Sequence, residues 1–124
     1  PLLYYKHSTK SVVFAERGVF MDTQRRKGVL EVCVLAVLQR GASYGYQIKK
    51  DVSACIPISE STLYSILRRM LANGCVTTYT EIYGGRLRRY YAIEQKGRDE
   101  IRAFLGEAAE MRRIYAFVEE AASK

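Results

Sequence analysis

Leu63–Gly97 reads LYSILRRMLANGCVTTYTEIYGGRLRRYYAIEQKG. Leu63, Leu67, Met70 and Leu71 recur at helical spacing, and Asn73-Gly74 supplies a helix stop, because only a residue tolerant of left-handed backbone closes such an end cheaply. Val76 to Tyr83 is then rich in β-branched and aromatic residues. Gly84-Gly85 makes a tight turn, and Arg86 to Ile93 returns as a second strand. Strand alternation puts Arg86, Arg88 and Tyr90 on one side and Leu87, Arg89 and Tyr91 on the other. Positive charge on both faces suits a protruding wing better than a buried sheet; the alternative is a solvated basic hairpin with no partner.

Upstream, Pro57 limits a preceding helix, and Ser59 or Ser61 can start the helix that carries Leu63. In YGYQIKKDVSAC, Tyr44, Ile48 and Val52 repeat every four residues, with Ser43 as the expected cap. Two helices across a compact connector, the second with a polar face, form a helix-turn-helix whose second helix can enter a major groove. Before it, Asp22 or Thr23 can cap a helix over Arg25 to Arg40 that Gly41 ends. Its apolar face runs through Val29, Val32, Cys33, Ala36 and Val37, broadened by Leu30, Leu35 and Leu38, which predicts contact on two sides. Residues 1–20 are an extension that forms a short strand, a packed arm or merely extra translated sequence.

Past the hairpin, Ile101, Phe104, Ala108, Met111, Tyr115 and Val118 are spaced 3, 4, 3, 4, 3, with Leu105 widening the stripe. That heptad-like pattern suits packing against a partner helix, although the chain's own first helix is an alternative cover. The expected organisation is therefore an extension (1–20), a winged helix-turn-helix domain including its first helix (21–93), and a C-terminal dimerisation helix and tail (94–124). The fold class is α+β, mainly α, with a two-stranded wing.

Charge follows the same division. Of 124 residues 48% are hydrophobic, enough for one core, and the net charge is +7. Residues 1–93 carry 14 basic and six acidic side chains, a balance of +8, and residues 94–124 carry six and seven, a balance of -1. A polyanion-facing body joined to a nearly neutral segment is implied. Cys33, Cys55 and Cys75 are isolated, form no metal pattern with His7, and read as reduced thiols, with Cys33 in the core. No apolar run reaches the ~18 residues of a membrane helix, and the opening residues lack signal-peptide order; the expected location is the cytoplasm.

Taken in order, GVLEVCVLAVLQRGASYGYQI, STLYSILRRMLANGCV and GGRLRRYYAIEQKG resemble the PadR family of bacterial transcriptional regulators, particularly its short members, from Lys27 to about Tyr115. The resemblance implies a winged helix-turn-helix homodimer that binds inverted-repeat operator DNA and usually represses transcription. It places the family's GYxI segment at Gly45, Tyr46 and Ile48, its recognition-helix signature at Thr62, Leu63 and Tyr64, and its basic wing at Arg86, Arg88, Arg89, Tyr90 and Tyr91. It also implies that the first and last helices build the dimer, through Val29, Val32, Cys33, Ala36, Ile101, Phe104, Leu105, Ala108, Met111, Tyr115 and Val118. The chain departs from the family pattern in residues 1–20 and at Glu94-Gln95, where a threonine often starts the last helix. Some compact relatives bind aromatic compounds between subunits. With no Trp in the chain, a tryptophan sandwich is excluded, and a small aromatic or phenolic effector is an expectation only.

The expected DNA contacts are Lys49, Lys50, Ser61, Thr62, Tyr64, Ser65, Arg68, Arg69, Arg86, Arg88 and Arg89. Arginine neutralises phosphate and can pair with guanine; the hydroxyls reach phosphates or bases, with capping as their alternative. For Arg69 the alternative is packing beside the core, and for Tyr64 an aromatic plug between helix and hairpin. No catalytic constellation, metal site or cofactor is expected, and no membrane partner. The competing function is a protein-protein adaptor that uses the C-terminal apolar helix.

Overall fold

The structure, a computed structural model, describes residues 12–14 and 20–124, with side chains from Arg25 onward. Strands β1 (Val12–Phe14) and β2 (Phe20–Asp22) pair antiparallel with Val13 opposite Met21, and β2 runs directly into helix α1 (Thr23–Gln39). The remainder of the extension, His7 included, lies outside the described residues.

Helix α1 carries two apolar stripes. Leu30, Val34, Leu35, Val37 and Leu38 are buried in the core. Val29, Val32 and Cys33 are half-buried and Ala36 is exposed; at spacings of 3, 1 and 3 they share a second flank. The two-sided contact read from the sequence thus has one side filled and one open. Cys33 is half-buried and packs against the rim of the core; the fully buried cysteine is Cys75, and all three thiols are free.

The next residues correct the expected cap. Ser43 does not cap a helix: Ser43–Tyr44 is strand β3, paired antiparallel with the returning wing strand through Ser43 opposite Tyr91 and Tyr44 opposite Tyr90. Backbone pairing satisfies more polar groups there than one hydroxyl cap would. Helix α2 (Gly45–Ser53) then begins after Tyr44, whose side chain makes no capping bond.

Helix α3 (Glu60–Asn73) starts at Ser59, whose Oγ accepts from Thr62 N–H at 3.1 Å. It ends at Gly74, φ 81°, where Gly74 N–H donates to Leu71 C=O and Cys75 N–H to Met70 C=O; those two bonds make a Schellman closure. The stripe it buries is Leu63, Ile66, Leu67 and Met70, while Leu71 is only partly covered. Packing on α2 and on the following strand turns the stripe toward Ile66, which the leucine pattern left out.

Strands β4 (Val76–Tyr83) and β5 (Arg86–Ile93) form the hairpin, with Gly84 at φ 57° and Gly85 at φ 81°. Positive φ at both central residues is the backbone of a type I′ turn, which matches the strand twist. The expected two-stranded wing is the β4–β5 hairpin, and β3 adds a third strand at its base in a sheet ordered β3-β5-β4. Its base (Val76, Tyr91, Ile93) joins the core, and its outer half projects.

Helix α4 (Gln95–Ala122), about 42 Å long at 1.5 Å per residue, leaves from Glu94. Glu94 makes no side-chain capping bond; instead its carboxylate accepts from Thr77 Oγ1 at 3.0 Å and its N–H donates to Cys75 C=O at 2.8 Å, which ties the start of α4 to β4 and the α3 end. Gly97 makes the departure possible, since a Cβ there would lie 2.7 Å from Cys75 O and 2.8 Å from Ile93 Cγ1. Past its first turns, α4 is covered by α1 only in part.

Candidate nucleic-acid interface

Positions 61, 64, 65 and 68 of a helix share one face, and on α3 that ridge is Ser61, Tyr64, Ser65 and Arg68. Ser61, Tyr64 and Arg68 are exposed and Ser65 is half-buried. Three grooves border the ridge. One, against α2, is lined by Tyr46, Lys49, Lys50, Ser53, Glu60 and Tyr64. A second, against α1, gathers Arg26, Lys27, Ser61, Thr62, Ser65 and Arg69. The third, against the wing, gathers Tyr44, Tyr46, Tyr64, Arg68, Leu87, Arg88, Arg89 and Tyr91. The ridge is thus flanked by cations on each side, with Glu60 the one acid among the residues lining these three grooves.

The cationic side chains divide by what already holds them. Arg69 Nε donates to Glu31 Oε2 at 2.9 Å and its guanidinium pairs with the same carboxylate, tying α3 to α1. Of the two roles weighed for Arg69, the packing one has a visible partner. Arg88 lies 3.8 Å from the Tyr44 ring centroid and 3.8 Å from that of Tyr83, with Nη1 donating to Tyr90 Oη at 3.4 Å. Tyr90 in turn stacks on Tyr79 at 5.4 Å. Together these make an aromatic-cation layer on the outer wing face that joins β3, β4 and β5. Cation-π contacts of this kind stiffen the hairpin. Arg89 bonds Thr78 Oγ1 through Nε at 3.0 Å and stays exposed. Arg68, Arg86, Lys49 and Lys50 have no ion-pair partner among the described residues, so their charge is available to an external anion.

Of the two roles weighed for Tyr64, the aromatic plug has a visible partner in Gly45. The Tyr64 ring lies so close to Gly45 that a Cβ there would collide with the hydroxyl, yet the residue is 37% exposed. Burial, with Tyr91 and Glu60 nearby, pushes its phenol above the usual range; it is a hydrogen-bond donor at neutral pH. Thr62 is half-buried beside the cap, receiving a bond from Ser59 at 2.9 Å. The aromatic layer was missed in the sequence, although Tyr79, Tyr83, Arg88 and Tyr90 alternate onto one strand face and carried that signal.

The remaining sequence-selected residues lie elsewhere. Val29 and Val32 line a groove between α1 and α4 with Phe104, bordered by Glu31, Glu100 and Glu107. Ile101 packs partly on the core. Phe104, Ala108 and Met111 are half-buried, and Leu105, Tyr115 and Val118 are more than half exposed, as is Phe117, with Ile114 slightly less so. Among the described residues no His, Cys, Asp and Glu group is placed to hold a metal, and no helix is long and apolar enough to cross a membrane.

A family model described as "Transcriptional regulator PadR-like family" matches residues 34–103. A protein of Streptococcus mutans UA159 is similar in structure at 32% identity and a TM-score of 0.67, over 75% of this chain and 89% of its own. A PadR family transcriptional regulator from Eggerthella lenta DSM 2243 matches at 28% identity and a TM-score of 0.66, over 78% of this chain and 87% of its own. Bacillus subtilis PadR, crystallised in complex with operator DNA, shares the fold at 24% identity and a TM-score of 0.58, over 62% of this chain and 46% of its own. No curated protein matches the sequence.

Proposed function

The chain belongs to the PadR-like family of transcriptional regulators, and from that premise we propose that it is a homodimeric repressor that binds duplex operator DNA in a sequence-specific way. The observation that carries this reading is the α3 ridge of Ser61, Tyr64, Ser65 and Arg68, bordered by Lys49 and Lys50, which have no ion-pair partner among the described residues, and by exposed Arg89. Small hydroxyls let a helix backbone approach bases closely while surrounding cations neutralise phosphate. Arg69 and Arg88 serve the scaffold, holding α3 to α1 and the wing to β3. Two copies joined through α1 and α4 would present two such ridges to half-sites roughly 34–36 Å apart. The expected location is the cytoplasm, where such DNA lies.

Control by a small aromatic or phenolic effector is part of the proposal. The groove of Val29, Val32 and Phe104 has an apolar floor for a ring, and its position between the helices assigned to the dimer lets a bound molecule alter the spacing of the two ridges. Such control requires different affinity for the DNA-competent and incompetent states. The exposed end of α4 supports a second reading, a protein-protein adaptor in which the basic surface serves solubility. One measurement separates them: binding of the purified protein to the duplex upstream of its own reading frame, beside a scrambled duplex, across a salt series. Preferential, salt-sensitive binding supports the repressor; a folded dimer that binds neither duplex at low salt favours the adaptor.

A further inference from the structure

Resting on the DNA-binding reading above, we propose that Cys33 and Cys55 are a peroxide-sensitive pair whose disulfide draws the α2–α3 connector onto α1 and weakens operator binding. Arg26, Leu30, Cys33 and Val37 recur at spacings of 4, 3 and 4, so they share one face of α1, and the residues that follow α2 lie along it. Arg26 Nη2 donates to Pro57 C=O at 3.2 Å. Cys33 and Ile56 both pack against the core, in which Leu30, Val37 and Ile58 are buried. Cys55 sits in the turn that closes α2, its N–H donating to Val52 C=O at 2.9 Å. Far apart in sequence, the two thiols meet in the fold: burial first, and then the charge and side-chain hydrogen bond of Cys55, push the Cys33 thiol above its usual range.

Access divides the roles of the two sulfurs. Cys55 is exposed, whereas Cys33 is half-buried and the third cysteine, Cys75, is buried with its Sγ 3.6 Å from Glu100 Oε2. A hydroperoxide therefore meets Cys55 first. The Cys55 thiolate attacks one peroxide oxygen, the O–O bond breaks, and the departing oxygen takes a proton and leaves as water. The Cys33 thiol then loses its proton as its sulfur attacks the Cys55 sulfur; the S–O bond breaks and a second water leaves. Two thiols and one hydrogen peroxide give one disulfide and two waters, with two electrons passing from sulfur to oxygen. Only Cys55 must be reached from solvent, so a subunit packed over the open flank of α1 leaves the reaction possible. Disulfide sulfurs lie about 2.05 Å apart, closer than two thiols in contact, so closure pulls the turn toward α1. Ser59, which caps α3, follows Cys55 by four residues, and Ser61 and Thr62 line the groove shared with Arg26 and Lys27. The bond therefore shifts the N-terminal end of the α3 ridge against the α1 cations, whereas the reduced pair leaves it in place.

The test treats the full chain with hydrogen peroxide and reads two quantities: the masses of unreduced tryptic peptides, and affinity for the duplex upstream of the protein's own reading frame. Trypsin separates the three cysteines onto peptides 28–40, 51–68 and 70–86, so each pairing has its own mass, and a denaturing gel without reductant distinguishes a link within one chain from a link between two. Peroxide is expected to join 28–40 to 51–68 within one chain and to lower affinity about tenfold, an ordinary size for coupling between sites. Dithiothreitol should restore both. Cys55→Ser and Cys33→Ala should bind like the reduced parent and lose the response, with circular dichroism establishing that each is folded. Peroxide that leaves the two peptides unlinked, or links them only between chains, overturns the proposal. So does a linked protein that binds like the reduced one, or a loss of affinity that persists in Cys55→Ser. Each of these leaves the DNA-binding reading standing. Absence of duplex binding by the reduced, folded parent overturns both.

Discussion

Adjacent helical residues face about 100° apart, and on α3 that angle sends Arg68 and Arg69 to different surroundings. Arg68 stands on the exposed ridge beside the wing, whereas Arg69 turns toward α1 and pairs with Glu31, its side chain 33% exposed and that of Glu31 27%. Half-covered ion pairs are screened by solvent, so Arg69→Met should cost about 1 kcal/mol or less in urea unfolding and leave the salt slope of DNA binding unchanged. Arg68→Ala should do the reverse, leaving stability intact and lowering the salt slope by about 1. Equal slopes for both variants would show that Arg68 does not meet phosphate. Sequence could select both arginines by charge and offer packing for Arg69, but it could not name the partner, because Glu31 lies 38 positions away and no local spacing links it to Arg69.

At the scale of elements, Gly97 decides how the long helix leaves the sheet. The backbone of α4 passes so close to Cys75 O and Ile93 that a methyl group at position 97 must displace one of them, and Cys75 O is a backbone atom that also accepts the Glu94 N–H bond. Gly97→Ala should therefore lower stability by about 1–3 kcal/mol, the usual cost of overpacking, against the small gain in helix propensity that alanine brings elsewhere. Urea unfolding checks it; a neutral or stabilised variant would mean that α4 shifts freely on its seat. Much of the element order was legible beforehand: β4 and β5 fall on the residues read from alternation and the paired glycines, and Ser59 and Gly74 bound α3 as their capping chemistry requires. The short β3 was not legible, since two residues have no periodicity and Ser43 reads locally as a cap. Its partner, β5, begins more than 40 positions later, and only the assembled sheet shows the free edge that Ser43–Tyr44 completes. Ile66 was passed over for a similar reason, because the leucine spacing fitted a helical face before the direction of the core was known.

For the whole molecule, the open apolar surface is distributed in a way that one copy cannot satisfy. The α1 flank of Val29, Val32, Cys33 and Ala36 remains partly uncovered, and on α4 exposure rises toward the C-terminal half, with Tyr115 59%, Phe117 77% and Val118 55% exposed. A continuous apolar stripe on a helix that leaves the core calls for a cover, and the heptad spacing from Ile101 to Val118 suits another helix. In the homodimer proposed for this chain, the two stripes cover each other and fix the distance between the recognition ridges. Tyr115→Glu with Val118→Glu places like charges at that contact without touching the buried core or any ridge residue. Sedimentation should then show the dimer falling to monomer while thermal unfolding of the winged domain changes little. Affinity for an inverted-repeat operator should fall roughly 10²- to 10⁴-fold, as the second half-site becomes a separate binding event, whereas affinity for a single half-site should be nearly unaffected. A variant that stays dimeric at the same protein concentration would place the subunit contact elsewhere, and a monomer that still binds the full operator tightly would separate recognition from dimer geometry.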